Sequence, residues 1–512
     1  MDFDVIVVGG GPVGALLAAE LRLGGARAVV LERLTEPSGH SKAFRLQPRT
    51  LELFDQRGIL ERFLEGNRIW PRAHFAGIEP LLELDRLDAA HPHALLIPQA
   101  RTEELLEKHA LDLGAEIRRG HELTGLAAGG DEVVARVRSA AGEYELRAAY
   151  LVGCDGGRST VRRLAGIGFT GTDPSVSALL GDVELPEPGQ LPAGVPGTMR
   201  TPRGLLMAIS VLPGVTRVLT TEFDRPLPDR DTPVTLDELR TTVERVTGLQ
   251  VTMREPRWLS RFTDATRLAD EYRTGRVLLA GDAAHVHFPI GAQGLNLGLQ
   301  DAMNLGWKLA ATVAGWAPDG LLDSYGAERR PAAVRVLRET RAQVALMNPE
   351  PRVDALRDLV GDLLALPEVN LWLSRELSGL DVRYESMAGD AGHPLVGRPC
   401  PALTADAGAG PVPAATLLRN GRGLLLLPPD ATDPATAGWA DRVDVLPDVR
   451  LDAGDRSDVP AALLLRPDGH VAWAGATGPD GAAALGAALH RWFGAPHELT
   501  STVDHAQNRG TS

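Results

Sequence analysis

This chain of 512 residues has only two cysteines, Cys154 and Cys400. They form no metal-binding or Cys-x-x-Cys redox motif and suit a reducing compartment, so a cytoplasmic protein is expected. No stretch approaches the roughly 18 apolar residues of a membrane span, which argues against a membrane protein. Met1-Asp2-Phe3-Asp4 is acidic and leads straight into an apolar segment, so no signal peptide is read there. Lysine is confined to Lys42, Lys108 and Lys308, while arginine and alanine abound; that is the bias of a GC-rich coding sequence rather than chemistry. The formal net charge of −14 is spread out with no basic run, which argues against nucleic acid as a partner. The rest is ordinary globular composition, 44% hydrophobic, in a chain too long for one core, so two or three domains are expected.

Three glycine-bearing motifs stand out, in a fixed order. The first is Gly9-x-Gly11-x-x-Gly14, with Pro12 inside it. The β-branched run Val5-Ile6-Val7-Val8 precedes it as a buried parallel strand, and Ala15–Leu21 follows as a helix with an apolar face. In such a turn the first glycine makes the bend, the second lets backbone approach a pyrophosphate, and the third packs helix on strand. A diphosphate then sits on the free N–H groups of the helix N-terminus. A second strand, Ala28–Leu31, ends at Glu32 beside Arg33, where an acid accepts ribose hydroxyls and repels a 2′-phosphate. That combination suits FAD or NAD better than NADP.

The second motif, Cys154-Asp155-Gly156, ends an expected meander through Val133–Val137 and Tyr144–Leu151. The third, Gly281-Asp282, follows the buried strand Arg276–Ala280 and leads through Pro289-Ile290-Gly291-Ala292-Gln293-Gly294-Leu295-Asn296 into a long helix ending near Gly315. A carboxylate at the carboxyl edge of a parallel sheet can take hydrogen bonds from ribityl hydroxyls. The glycines and the helix N-terminus can approach a flavin ring and stabilise its reduced, anionic form. His285-x-His287 could suggest a metal pair, but no third ligand is spaced nearby, and a structural or flavin-side role is the reading preferred.

Between the second and third motifs, Leu205–Val211 and Val215–Phe223 read as paired strands around Pro213-Gly214, part of an antiparallel sheet over the substrate. Met207, Phe223, Trp258 and Arg261 are candidates to line its cavity, with a place in the core as the alternative. Trp70 to Leu84 reads as strands leaving the nucleotide region, and Thr102 to Leu113 as an amphipathic helix. Helical patterns continue to about Leu380. Around Ala405–Ala414 the composition reads as a linker, followed by strands at Leu424–Leu427, Ala461–Leu465 and Val471–Trp473 and a final helix. The sequence holds no internal repeat.

Taken together, the motifs resemble those of the group A flavoprotein monooxygenases, typified by para-hydroxybenzoate hydroxylase. Gly9, Gly11, Gly14 and Glu32 match the family's FAD fingerprint. Tyr150 through Arg162 matches its DG motif, tied to both FAD and NADPH, with Asp155 and Arg158 as the NADPH candidates. Gly281 through Asn296 matches its GD motif, with Pro289 and Gly291 supporting the flavin loop, and Gln99 matches a flavin-contacting position. Within that group the chain is similar to actinomycete aromatic polyketide hydroxylases and to rifampicin monooxygenases. In many relatives the loop before the Arg-Thr helix reads Ser-Arg-Ala and then carries a glycine. Here it is Ser41-Lys42-Ala43-Phe44-Arg45, which leaves Lys42, Arg45 and Arg49 as the candidate flavin contacts.

The resemblance implies an α/β fold: an FAD-binding Rossmann-like domain of the glutathione-reductase type over 1–175 and 270–393, an inserted antiparallel substrate domain over 176–269, a thioredoxin-like domain over 394–498, and a flexible tail over 499–512. Part of 68–100 would serve the substrate side. It implies FAD as cofactor, NADPH as transient co-substrate, O2, and hydroxylation of a polycyclic aromatic polyketide of angucycline, anthracycline or tetracycline type through a flavin 4a-hydroperoxide. No side-chain acid–base triad is then needed. The same residues leave open oxygenation of a rifamycin-type antibiotic, Baeyer–Villiger insertion, or a non-catalytic binding protein such as the Rab GDP-dissociation inhibitors. They do not separate monomer from homodimer.

Overall fold

The computed structural model describes residues 1–497 apart from 188, 192–197, 230–231, 386–391, 430, 432–435, 453 and 455–458. The tail expected over 499–512 lies outside the described residues. The organising element is an eight-stranded sheet. Its central strand Phe3–Val8 runs parallel to Gly142–Gly153 on one side and to Ala28–Glu32 on the other, with Val277–Leu279 and Glu116–Arg119 further out. Val5 to Val7 and Val29 to Val30 are fully buried, as expected of β-branched runs covered on both faces. The helices Pro12–Leu23 and Gln293–Val313 pack on each other so closely that a Cβ on Gly306 would lie 2.3 Å from Glu20 Cβ.

The expected meander forms as antiparallel pairs through Glu132–Ser139 to Gly142–Gly153. A second sheet has five strands, in the order Thr198–Thr201, Gly204–Leu212, Val215–Glu222, Ser177–Glu184, Arg254–Thr263, and all its pairs are antiparallel. One face packs on the helix Leu236–Thr247. The other forms a second core with the hairpin Arg72–Phe75 and Ile78–Glu83 and with Phe288, Ile290, Met347 and Leu377. The helices Ser324–Met347, Pro351–Leu364 and Pro367–Ser378 close this side.

A third sheet, in the order Val443–Leu446, Gly423–Leu426, Ala462–Leu465, Val471–Gly475, is backed by the helix Pro479–Phe493. The expected linker is a correction. Thr404–Asp406 and Val412–Pro413 pair with each other, and Thr404–Asp406 also pairs with Arg450–Asp452, burying Ala405. The glycines that suggested a linker make a tight hairpin turn, with Gly408 and Gly410 at φ +90° and +102°. Among the described residues no helix is long and apolar enough to cross a membrane.

Candidate functional site

The three glycine motifs meet at the carboxyl edge of the parallel sheet. Gly9 has φ +108°, and a Cβ there would stand 2.4 Å from the Cys154 carbonyl oxygen. A Cβ on Gly14 would lie 2.0 Å from the Gly9 carbonyl oxygen, whereas one on Gly11 would meet nothing within 4 Å. The turn, the close packing and the open face thus fall to the glycines as the sequence implied. Pro12 occupies the first turn of the helix, which has no side-chain cap, so its N-terminal N–H groups are free for an anion. Glu32 is held against this loop, accepting from Gly10 N and Leu34 N, each at 2.8 Å. Arg33 beside it is exposed.

Asp155 has a second job that the sequence did not show. Its Oδ2 accepts from Thr160 N (2.6 Å) and Val161 N (3.1 Å) at the start of the helix Thr160–Leu164, while its buried Oδ1 has no partner. Gly156 opens onto free space and Arg158 is exposed. Asp282 is also exposed; among the described residues its carboxylate makes no hydrogen bond, though its charge acts on the His287 ring. Its neighbour Gly281 is fixed by Asp301 Oδ2 (3.1 Å), which also meets His285 Nε2 (2.7 Å); Asp301 Oδ1 takes Arg329 Nε (2.8 Å). Burial pushes the Asp301 carboxyl up, and Arg329 and His285 outweigh it and hold the group below the ordinary carboxylate range. His285 is therefore a structural residue, and the described residues contain no metal-binding cluster.

The flavin-loop segment is unusual in its backbone. Gly291 (φ +71°) and Ala292 (φ +55°) are both left-handed, a strain of order 1–3 kcal/mol at the non-glycine position. The helix Gln293–Val313 then starts with no side-chain cap. Gln293 is buried with neither amide atom partnered. Pro289 is exposed at the head of the loop, Gly294 faces His287, and Leu295 packs on the main core. Asn296 is spent differently from its expected role. Its Oδ1 accepts from Gln47 N (2.8 Å) and Thr50 Oγ1 (2.7 Å), and its Nδ2 donates to the Arg45 and Ala292 carbonyls, so its side chain is spent on bracing the loop. Open glycine faces, two uncapped helix starts, a free acid and an orphaned amide fit a flavin dinucleotide laid along this edge.

The loop before the helix Pro48–Gln56 departs from expectation at Arg49. Its guanidinium is buried, donating to Glu52 Oε2 (2.9 Å) and to the Asp468 carbonyl (3.0 Å) of the third sheet, so it joins two parts of the chain and is not free for a flavin. Gln99 is likewise engaged, accepting from Ala43 N (2.9 Å) and donating to Glu103 (2.7 Å); it fixes the loop rather than offering its amide. Lys42 is exposed and Arg45 half-buried.

Beside the flavin loop lies a narrow apolar cleft lined by His74, Thr198, Met207, Phe288, Pro289 and Met347, among others. Met207 is on it, and Phe223 and Trp258 lie on the same apolar side, Trp258 stacked on His40 at 5.6 Å. Arg261 is a correction. It pairs with Leu179, which belongs to the opposite core, and donates to Glu238 Oε1 (2.9 Å) of the backing helix. Side chains alternate along a strand, so Trp258 and Arg261, an odd number of residues apart, face opposite ways. The sequence reading missed His74, Phe288 and Met347, because nothing local ties these segments to the sheet.

A glycine loop on a parallel sheet, an acid at the next strand end, and a second uncapped helix beside an apolar cleft define a dinucleotide-binding site built for a flavin. Comparison with known proteins makes this particular. A family profile described as "FAD binding domain" matches residues 2–340, and one described as "Aromatic-ring hydroxylase, C-terminal" matches 393–496. The chain belongs to this family of FAD-dependent aromatic-ring monooxygenases. It is 48% identical over 508 residues to the 12-dehydrotetracycline 5-monooxygenase/anhydrotetracycline 6-monooxygenase of Streptomyces rimosus subsp. rimosus, spanning 97% of this chain and 100% of that one. It is 47% identical over 495 residues to a rifampicin monooxygenase of Streptomyces venezuelae, spanning 96% and 99%. The solved structure of an anhydrotetracycline hydroxylase from Streptomyces rimosus superposes with a TM-score of 0.90 at 47% identity, covering 97% of this chain and 100% of that one.

Proposed function

We propose that the protein uses NADPH and O2 to hydroxylate a polycyclic aromatic polyketide of the angucycline, anthracycline or tetracycline type. The observation that carries this reading is one of continuity: Pro289 and Ile290 line the apolar cleft, and the chain passes from them directly into Gly291–Asn296, the segment read as the flavin loop. The polyketide substrates in the names of its relatives support the same reading.

Bound FAD supplies electron transfer and oxygen activation. The chain's own residues hold it and shape its surroundings. Gly9, Gly11, Pro12 and Gly14 present backbone and helix N-terminus to the diphosphate, and Glu32 with Arg33 borders the adenosine ribose. Asp282 would take the ribityl hydroxyls, and Gly291 with the uncapped helix start at Gly294 and Leu295 would hold the flavin ring, while Asn296 would brace that loop through its side chain. Asp155 and Gly156 border FAD, and Asp155 with Arg158 borders the transient NADPH. Met207, Phe223, Trp258 and Phe288 hold a flat aromatic face and exclude water. The unit over 394–498, with its central four-stranded sheet and final helix, is read as thioredoxin-like and structural. The FAD-binding unit takes 1–175 and 270–393, of the glutathione-reductase type, and the substrate unit 176–269.

The test is NADPH consumption by the purified yellow holoenzyme with a panel of polycyclic polyketides and a rifamycin. A polyketide should stimulate it and leave as a product one oxygen atom heavier. Stimulation by the rifamycin alone would replace this reading with antibiotic inactivation.

A further inference from the structure

Arg45, a candidate flavin contact by sequence, sits on a strand that turns its side chain away from the main core. In the two-residue strand Arg45–Leu46, Leu46 pairs with Leu95 and is fully buried in the main core. Alternation along the strand sends Arg45 to the other side: it pairs with Leu96, which shares a face with Ala94 of the second core, the core that holds Met207 and Phe288 of the cleft. There its guanidinium is half-buried and, among the described residues, has no hydrogen-bond or ion-pair partner. Its backbone is fixed, because Asn296 Nδ2 donates to the Arg45 carbonyl (3.1 Å), and Gln47 donates through its backbone to Asn296 (2.8 Å) and through its side chain to the Gly291 carbonyl (2.9 Å). A cation is thus mounted on the support of the flavin loop, beside an apolar cleft.

Among the described residues, no acidic group is seen to answer that charge. Burial, with Arg45 adding to it, lowers the His74 ring to about 4, so it is neutral at pH 7, and its Nδ1 accepts from Gly77 N at 3.4 Å. Thr198, another polar residue of the cleft, is neutral. Burial lowers Arg45 itself to about 10, which leaves it charged at neutral pH. A desolvated cation without a counter-ion is unfavourable, and an entering anion relieves the cost.

We propose that Arg45 is a specificity-determining residue whose guanidinium pairs with an ionised phenol or enol oxygen of the polycyclic substrate. This rests on reading the cleft as the polyketide site. An ionised oxygen at Arg45 fixes which ring carbons face the flavin loop, and it enriches the carbons ortho and para to it in electron density.

The test uses FAD-loaded enzyme and alizarin, a dihydroxyanthraquinone whose phenol and phenolate absorb differently, followed at wavelengths beyond the flavin bands. Bound to the wild type, alizarin should ionise about one pH unit or more below its free value. In Arg45→Met the depression should vanish while the flavin spectrum is unchanged, and Arg45→Lys should restore part of it. Should Arg45→Met fail to fold, Arg45→Lys decides alone, by a depression smaller than that of the wild type. An undiminished depression in either folded variant overturns the proposal. If alizarin and other hydroxylated polycycles do not bind the wild type at all, the polyketide reading of the cleft fails, and the assignment of Arg45 falls with it.

Discussion

Replacing Glu328 by Gln probes the connection between the flavin-loop helix and the third sheet. Glu328, Lys308, Arg466 and Asp468 are sealed from solvent. Glu328 accepts from Arg466 at 2.8 and 2.9 Å, from Lys308 at 2.7 Å and from Asn304 at 2.6 Å. Two carboxylates balance two cations, and the amide would leave a net positive charge with no water to screen it. Removing one partner of a buried pair costs about 3–5 kcal/mol. The folded acid gives a similar figure. Burial pushes the Glu328 carboxyl up, yet Arg466 and then Lys308 hold it down from 4.5 to about 2, a difference of about 3 kcal/mol. Because the folded value is depressed, this stability is complete above the unfolded value of 4.5 and is lost as pH falls through 2. Urea denaturation of wild type and variant at pH 7, followed by flavin release and tryptophan fluorescence, should differ by about 3 kcal/mol, and the gap should narrow below pH 4.5. A difference under about 1 kcal/mol at pH 7 would mean that the Glu328 charge does not hold this cluster together.

Other expectations follow from single observations. Burial, opposed by Glu328, depresses the Lys308 ammonium from 10.5 to about 8, so the unfolded chain binds the extra proton between those values. Stability attributable to Lys308 should therefore rise with pH across that window in urea titrations, and Lys308→Met should flatten the rise. Gly14→Ala places a methyl 2.0 Å from the Gly9 carbonyl oxygen, and the purified variant should carry about tenfold less FAD by flavin absorbance. Arg261→Gln breaks a partly exposed pair with Glu238 and should change stability by under about 1 kcal/mol and leave turnover intact. Met207→Trp, on the cleft side of the same sheet, should raise the KM for a polycyclic substrate about tenfold without loss of FAD.

The nucleotide edge was legible because its signals are local. Gly9 and Gly14 need the backbone room that only glycine gives, and strand, turn, helix and acid follow one another within about thirty residues. The middle strands were legible as strands, but the facing of Trp258 against Arg261 depends on register, and a shift of one residue exchanges the faces. Arg49 and Gln99 sit in segments that read as flavin contacts, yet each is taken by a partner that composition does not reveal: the Asp468 carbonyl for one, Ala43 and Glu103 for the other. The same holds for the cluster around Glu328, whose members come from two helices and a distant turn. Ala405–Ala414 misled for the opposite reason, since glycine and proline mark tight hairpins as readily as linkers.

The proposed activity inserts oxygen from O2 into a polycyclic aromatic polyketide. The most direct measurement is mass spectrometry of products formed by the FAD-loaded enzyme with NADPH and heavy-isotope O2 in ordinary water. One heavy oxygen atom per product is expected on a polycyclic polyketide. Polyketide products that carry only solvent oxygen, or that rearrange with no gain of oxygen, would contradict it.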